Sequence, residues 1–192
     1  MIYRIRPGAC LLVGMLLTAC ASKPDHFYTL NVVPERARAT LAAPTVHVLL
    51  QVSVPVLVDR AEMIVNTAPN AVLILDHQRW VPALSDQVSQ TLARDLEQRR
   101  PDVLVADRGF DQAGSSPVTV KVDIVTMSVQ RGGRASIEAR WRVLDAGSAI
   151  DQIGGGVFEA AVNGTSYGAV AQAYSQALGA LADQLVATLR QK

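Results

Sequence analysis

The sequence predicts an α/β fold: a single domain whose mixed, partly antiparallel β-sheet is packed by two long amphipathic helices. Three observations predict it. Leu84, Val88, Leu92 and Leu96 recur at four-residue spacing, with Asp86, Gln90, Arg94 and Glu97 between them, the pattern of a helix with one buried face. A second stripe of Tyr167, Val170, Tyr174, Leu178, Leu181, Leu185 and Leu189 closes the chain beside an alanine-rich flank. Between and before them lie about seven β-branched segments bounded by Pro, Gly and Asn, which read as strands.

The first residues stand apart from that domain. Arg4 and Arg6 precede an apolar run of 12 residues, Gly8 to Ala19, shorter than the roughly 20 needed to span a bilayer. A basic start, a short apolar run and a small residue make a signal peptide. Its end, Leu17-Thr18-Ala19-Cys20, resembles the lipobox of bacterial lipoproteins, in which the cysteine is acylated and becomes the mature N-terminus. The resemblance implies a signal peptide over 1–19, lipidation at Cys20, and a linker over 20–25 ahead of one domain over 26–192. An ordinary signal peptide with a chance cysteine is the competing reading. Ala21, where aspartate would favour inner-membrane retention in enteric-type sorting, points to the outer membrane. Fully extended, the linker reaches on the order of 20 Å, so the domain should sit close to its membrane, facing the periplasm.

The elements follow in order. His26 to Val32 reads as a first strand, 33–44 as a proline-bracketed loop, and Thr45 to Val54 as a strand so β-branched that both faces should be buried. Pro55 ends it and residues 56–60 turn a corner. Met63 to Thr67 and Val72 to Leu75 flank the turn dipeptide Pro69-Asn70. Pro82 should occupy the first turn of the helix that ends near Arg99-Arg100, before Pro101. Val103 to Ala106 is a short strand and 108–117 a loop.

Val118 to Gln130 and Arg134 to Asp145 form a hairpin around Gly132-Gly133. With a two-residue turn, Ile124 opposes Trp141, Val122 opposes Val143 and Asp123 opposes Arg142, apolar on apolar and charge on counter-charge. Toward the tip the phase changes, so that Val125, Met127 and Val129 share a face with Arg140, Glu138 and Ser136. Either a bulge near Val125 resets the alternation, or that outer face is apolar because a partner covers it. A strand from Ile153 to Val162 then crosses Gly154-Gly155-Gly156, where a bend or a close backbone approach is expected. Asn163-Gly164 turns the chain, Ser166 caps the last helix, and Gly168 and Gly179 permit close packing.

Charge and chemistry exclude several classes. Without Arg4 and Arg6 the mature chain carries 16 basic and 17 acidic side chains, which gives no case for nucleic acid. Cys10 leaves with the signal and Cys20 takes lipid, so neither thiol nor disulfide remains. His26, His47 and His77 have no paired spacing, so no metal site and no cofactor beyond the covalent lipid are expected; a half-buried, hydrogen-bonded imidazole is expected at His47. The glycines at 154–156 lack the following Lys-Ser/Thr of a phosphate loop, and no Gly-x-Ser-x-Gly elbow occurs. The sequence argues against an enzyme.

Tyr28-Thr29-Leu30, Val54-Pro55 followed by Leu57-Val58-Asp59-Arg60, Arg79-Trp80 before Pro82, Arg140-Trp141 ahead of Asp145 and the final helix resemble the PqiC/YmbA lipoproteins, the ABC-type transport auxiliary lipoproteins. Leu57 and Glu62 depart from that pattern, which has an aromatic and a glutamine there. The resemblance implies a non-catalytic outer-membrane lipoprotein that docks the periplasmic end of an MCE-domain protein of an ABC-type intermembrane lipid transport system and supports membrane integrity. A ring-shaped homo-oligomer would match the symmetry of such an assembly. Asp59, Arg60, Arg79 and Trp80 are candidate partner-binding residues, with Val125, Met127 and Val129 if the hairpin face is covered. Against this stand plainer roles: Asp59 capping a corner, Arg60 solvated, Trp80 stapling the start of the helix. The alternatives in function are a stand-alone periplasmic lipid carrier and an envelope-assembly or structural lipoprotein.

Overall fold

A computed structural model describes residues 23–34, 46–106, 118–145 and 151–190. The signal peptide, Cys20 and most of both expected loops lie outside these residues. The elements are β1 (His26–Tyr28), β2 (Val46–Ser53), β3 (Glu62–Ala68), β4 (Ala71–Trp80), α1 (Leu84–Arg99), β5 (Val103–Ala106), β6 (Val118–Val129), β7 (Arg134–Leu144), β8 (Gln152–Ala161) and α2 (Tyr167–Arg190). They build the expected α/β domain, but with two sheets: a five-stranded one ordered β5-β2-β6-β7-β8 and a three-stranded one ordered β1-β4-β3. β2 is parallel to both β5 and β6, β1 is parallel to β4, and the remaining pairs are antiparallel.

Both helices lie on one face of the larger sheet, α1 against β2 and β5, α2 against β7, β8 and α1. Val88, Leu92 and Leu96 of α1 and Val170, Leu178, Leu181 and Leu185 of α2 are buried against Val48, Val120, Ile124 and Ile137. β2 is therefore buried on one face only, unlike the expectation: Val48 and Leu50 face the helices, while Gln51 and Ser53 are exposed. Ser166 Oγ accepts the Ala169 N–H at 3.1 Å and caps α2 as its sequence position predicts. Gly179 lets α2 approach its neighbours, since a Cβ there would lie 3.1 Å from Val33 and 3.2 Å from Arg99. Gly168 is open to solvent and has no such role.

β1 is shorter than expected because side chains, not a strand, take the next donors. The Leu30 N–H bonds Gln87 Oε1 at 2.6 Å and the Asn31 N–H bonds Ser175 Oγ at 3.1 Å. β4 runs on to Trp80, with His26 to Tyr28 pairing its second half. Asn70 supplies the left-handed residue of the β3–β4 turn, at φ 63°.

The β6–β7 hairpin contains the bulge, between Ile124 and Thr126. Its turn is three residues, 131–133, because Gln130 pairs with Arg134. Turn and bulge each displace the register by one, so Val122, not Ile124, opposes Trp141, and Asp123 opposes Arg140. Two one-residue displacements preserve the facing of the first half, and Val122 and Ile124 still enter the core. Beyond the bulge Met127 and Val129 also face inward, opposite Ile137 and Ala135. Their reading as a covered outer surface is thereby corrected; Val125 is the extra residue itself. Gly154–Gly156 bend nothing: β8 pairs with β7 throughout, and the indole of Trp141 lies where a Gly154 Cβ would be.

Candidate functional site

Among the described residues, the corner between β2 and β3 carries the most exposed large apolar side chain, Val56. The Val58 and Asp59 N–H groups both bond the Pro55 carbonyl at 3.0 Å, closing a tight turn. That turn buries Val58 and leaves Val56 91 % and Leu57 60 % exposed. Asp59 Oδ1 accepts the Ser85 N–H at 3.0 Å, near the start of α1. Ala83, the residue flanking α1, has no side chain to cap it, so a carboxylate from the corner supplies the cap and the negative charge favoured there. Pro82 lies ahead of the helix rather than in its first turn; its carbonyl accepts Gln87 Nε2 at 2.8 Å.

Beside the corner, Glu62 bridges two arginines. Arg60 Nε donates to Glu62 Oε2 at 3.0 Å, and Arg79 lies 3.4 Å from Oε1. Hydrogen bonding to the backbone and to Arg60, with the charge of both guanidinium groups, holds the Glu62 carboxyl below its ordinary range. All three side chains are 23–39 % exposed, so this network orients the arginines more than it stabilises the fold. Trp80 is not at this surface: it is 3 % exposed, 6.3 Å from the ring of Tyr174. Of the four residues singled out here, Asp59, Arg60 and Arg79 meet at the corner and Trp80 belongs to the core. Sequence reasoning missed Val56 and Leu57; two large apolar side chains directly after a strand-ending proline were the available signal.

The second feature is the face of the five-stranded sheet opposite the helices, on which Gln51, Ser53, Lys121, Asp123, Arg140 and Arg142 are exposed among the described residues. A groove of about 740 Å³ there is bordered by these side chains. Ser53 Oγ donates to Asp123. On the adjoining edge strand β8, Ile153 is 71 % and Val157 60 % exposed. The groove also has apolar lining from Val52, Val122, Trp141 and Ile153, but it opens to solvent, unlike the enclosed cavity a stand-alone lipid carrier requires.

Among the described residues no three His, Cys, Asp or Glu side chains group to hold a metal. His77 Nδ1 lies 2.9 Å from Asp25 Oδ1. His47 Nδ1 is buried and has no hydrogen-bond partner among the described residues, contrary to the satisfied imidazole expected. No described helix is long and apolar enough to cross a membrane.

Two solved structures share the fold. A crystal structure of an uncharacterized protein aligns over 87 % of this chain and 99 % of its own, with a TM-score of 0.71 and 17 % identity. Protein XCC0632 from Xanthomonas campestris aligns over 86 % of this chain and 96 % of its own, with a TM-score of 0.64 and 20 % identity. No curated protein matches the chain. The family model described as ABC-type transport auxiliary lipoprotein component matches residues 28–186, from β1 almost to the end of α2. The chain belongs to that family, as its resemblance to the PqiC/YmbA lipoproteins implied.

Proposed function

We propose that the chain is a non-catalytic docking subunit of an MCE-type intermembrane lipid transport system. Acyl chains on Cys20 hold it to the outer membrane, facing the periplasm, and two or more buried chains suffice for a lasting anchor. The observation that carries this reading is the β2–β3 corner. Val56 and Leu57 are presented to solvent by a closed turn and flanked by Arg60, Glu62 and Arg79. An apolar projection rimmed by charge, and held to a helix end through Asp59, has the anatomy of a partner-binding surface. The end of an MCE-domain protein is its partner. Self-association into a ring uses the other exposed surface, the open sheet face with Ile153 and Val157.

Val56→Asp with Leu57→Asp tests the corner. Both side chains are exposed, so the variant should fold and reach the membrane. It should lose co-purification with the co-expressed MCE-domain protein. Undiminished co-purification would remove the corner from the interface, and an absence of binding by the unsubstituted chain would favour an envelope-assembly or structural role.

A further inference from the structure

The β3–β4 hairpin leaves three consecutive apolar side chains in solvent: Val72 47 %, Leu73 49 % and Ile74 39 % exposed. Neighbours on a strand point to opposite faces, so β4 is apolar and exposed on both sides here, while its partners Ile64 and Val65 on β3 are buried. Thr67, Ala68, Pro69 and Asn70 at the hairpin tip are exposed too. An exposed apolar edge of this kind marks a contact with protein or membrane, and the path of the chain tells which. β1 runs parallel to β4, with His26 paired to Gln78. Residues ahead of His26 therefore run back toward the start of β4, where the hairpin tip is. Asp25 lies beside His77, at 2.9 Å, in the second half of β4, and the preceding Lys23 and Pro24 line a hollow with Ile74 and Leu75.

From Lys23 to Cys20 there are three residues, a reach of at most about 11 Å. An acylated Cys20 can thus lie no farther than that from Lys23, which lines one hollow with Ile74. We infer that Val72, Leu73 and Ile74 enter the interface of the membrane that holds the lipid, making a second contact that fixes how the domain stands on it. This rests on the acylation of Cys20 proposed above. The corner at Val56 lies at the other end of the same ribbon: Glu62, at the start of β3, pairs with Arg79, while Val72 pairs with Asn66, four residues further along β3, about 13 Å. With the hairpin in the membrane interface, the corner points away from it into the periplasm.

The test uses the full chain, processed in the cell and purified into vesicles of phosphatidylethanolamine and phosphatidylglycerol. Once Cys20 is acylated, Leu73→Cys carries the sole free thiol, which is labelled with an environment-sensitive fluorophore. The expected result is a blue shift and a loss of emission when nitroxide-bearing phospholipid is included. The same label at Val56→Cys should show neither. Thr67→Cys, exposed at the same tip, repeats the measurement if the Leu73 variant does not fold. An unquenched label on chains whose intact mass shows acylation would overturn the hairpin contact and leave the anchor standing. A label shielded from aqueous iodide but untouched by nitroxide lipid would mean that protein covers the tip, and would overturn it as well. An unacylated mass would overturn both.

Discussion

Asp59 reaches from the β2–β3 corner to cap a helix that has no cap of its own, and its removal should be felt in two places. The Oδ1 to Ser85 N distance is 3.0 Å, and Ala83 makes no competing side-chain bond. A side-chain cap is worth about 1 kcal/mol, and a carboxylate at a helix N-terminus adds roughly 0.3–1 kcal/mol. Asp59 is exposed, so the total for Asp59→Ala should be about 1–1.5 kcal/mol, near the low end of that range. In a domain of this size that lowers Tm by roughly 3–5 °C. Far-UV circular dichroism of a soluble form lacking residues 1–20 measures it. Asp59→Asn keeps an acceptor and should recover most of the loss, more completely at high salt, where the charge contributes least. Ala83→Ser should rescue Asp59→Ala, because a hydroxyl there can take the freed donor. A shift of less than about 1 °C for Asp59→Ala would refute the cap. Weakened partner binding by the same variant is expected as well, since the corner loses its tie to α1.

Two further outcomes follow from the core. A Cβ on Gly154 would lie 2.4 Å from the Trp141 indole, so Gly154→Ala should destabilise by about 1–3 kcal/mol through overpacking; an unchanged urea midpoint and near-ultraviolet tryptophan signal would contradict this. Burial raises the Asp95 carboxyl above the ordinary carboxylate range, against the opposing hydrogen bond and charge of Arg99. Between the unfolded and the folded pKa the folded state holds the extra proton. The contribution of Asp95 is therefore full below the unfolded pKa and lost as pH rises through the folded one. Urea midpoints across that window should fall more with rising pH for the parent than for Asp95→Asn, and a difference of the opposite sign would sink the assignment.

What could be read from the chain was local. The α2 stripe from Tyr167 to Leu189 and its Ser166 cap need only neighbours in sequence, and both are where periodicity put them. The bulge was legible as a break in alternation at Val125, but its register was not, because register depends on a turn length that Gly132-Gly133 alone does not specify. β4 runs past Leu75 although Asp76, His77, Gln78 and Arg79 look unlike a strand; pairing from β1, about 50 residues earlier, holds Gln78 and Arg79 extended. Trp80 was set beside Arg79 as a surface candidate because its partner, Tyr174, is distant in sequence. The Asp59 cap was hidden for the same reason, and the exposure of Val56 and Leu57 depends on a turn closed by backbone bonds.

The residue added at Val125 changes no side chain's company. With it removed, Ile124, Met127 and Val129 would still share one face, in plain alternation. What the addition alters is bend, since an unpaired residue kinks and twists its strand. Just past the kink, the Val129 N–H meets Asn66 Oδ1 at 3.2 Å, joining the larger sheet to the ribbon that carries Leu73 at one end and Glu62 at the other. Val125 thus sits as a shim between the half of β6 that pairs with β2 and the end that is tied to the ribbon, and its deletion should change the angle at which the grooved face stands to the ribbon's long axis.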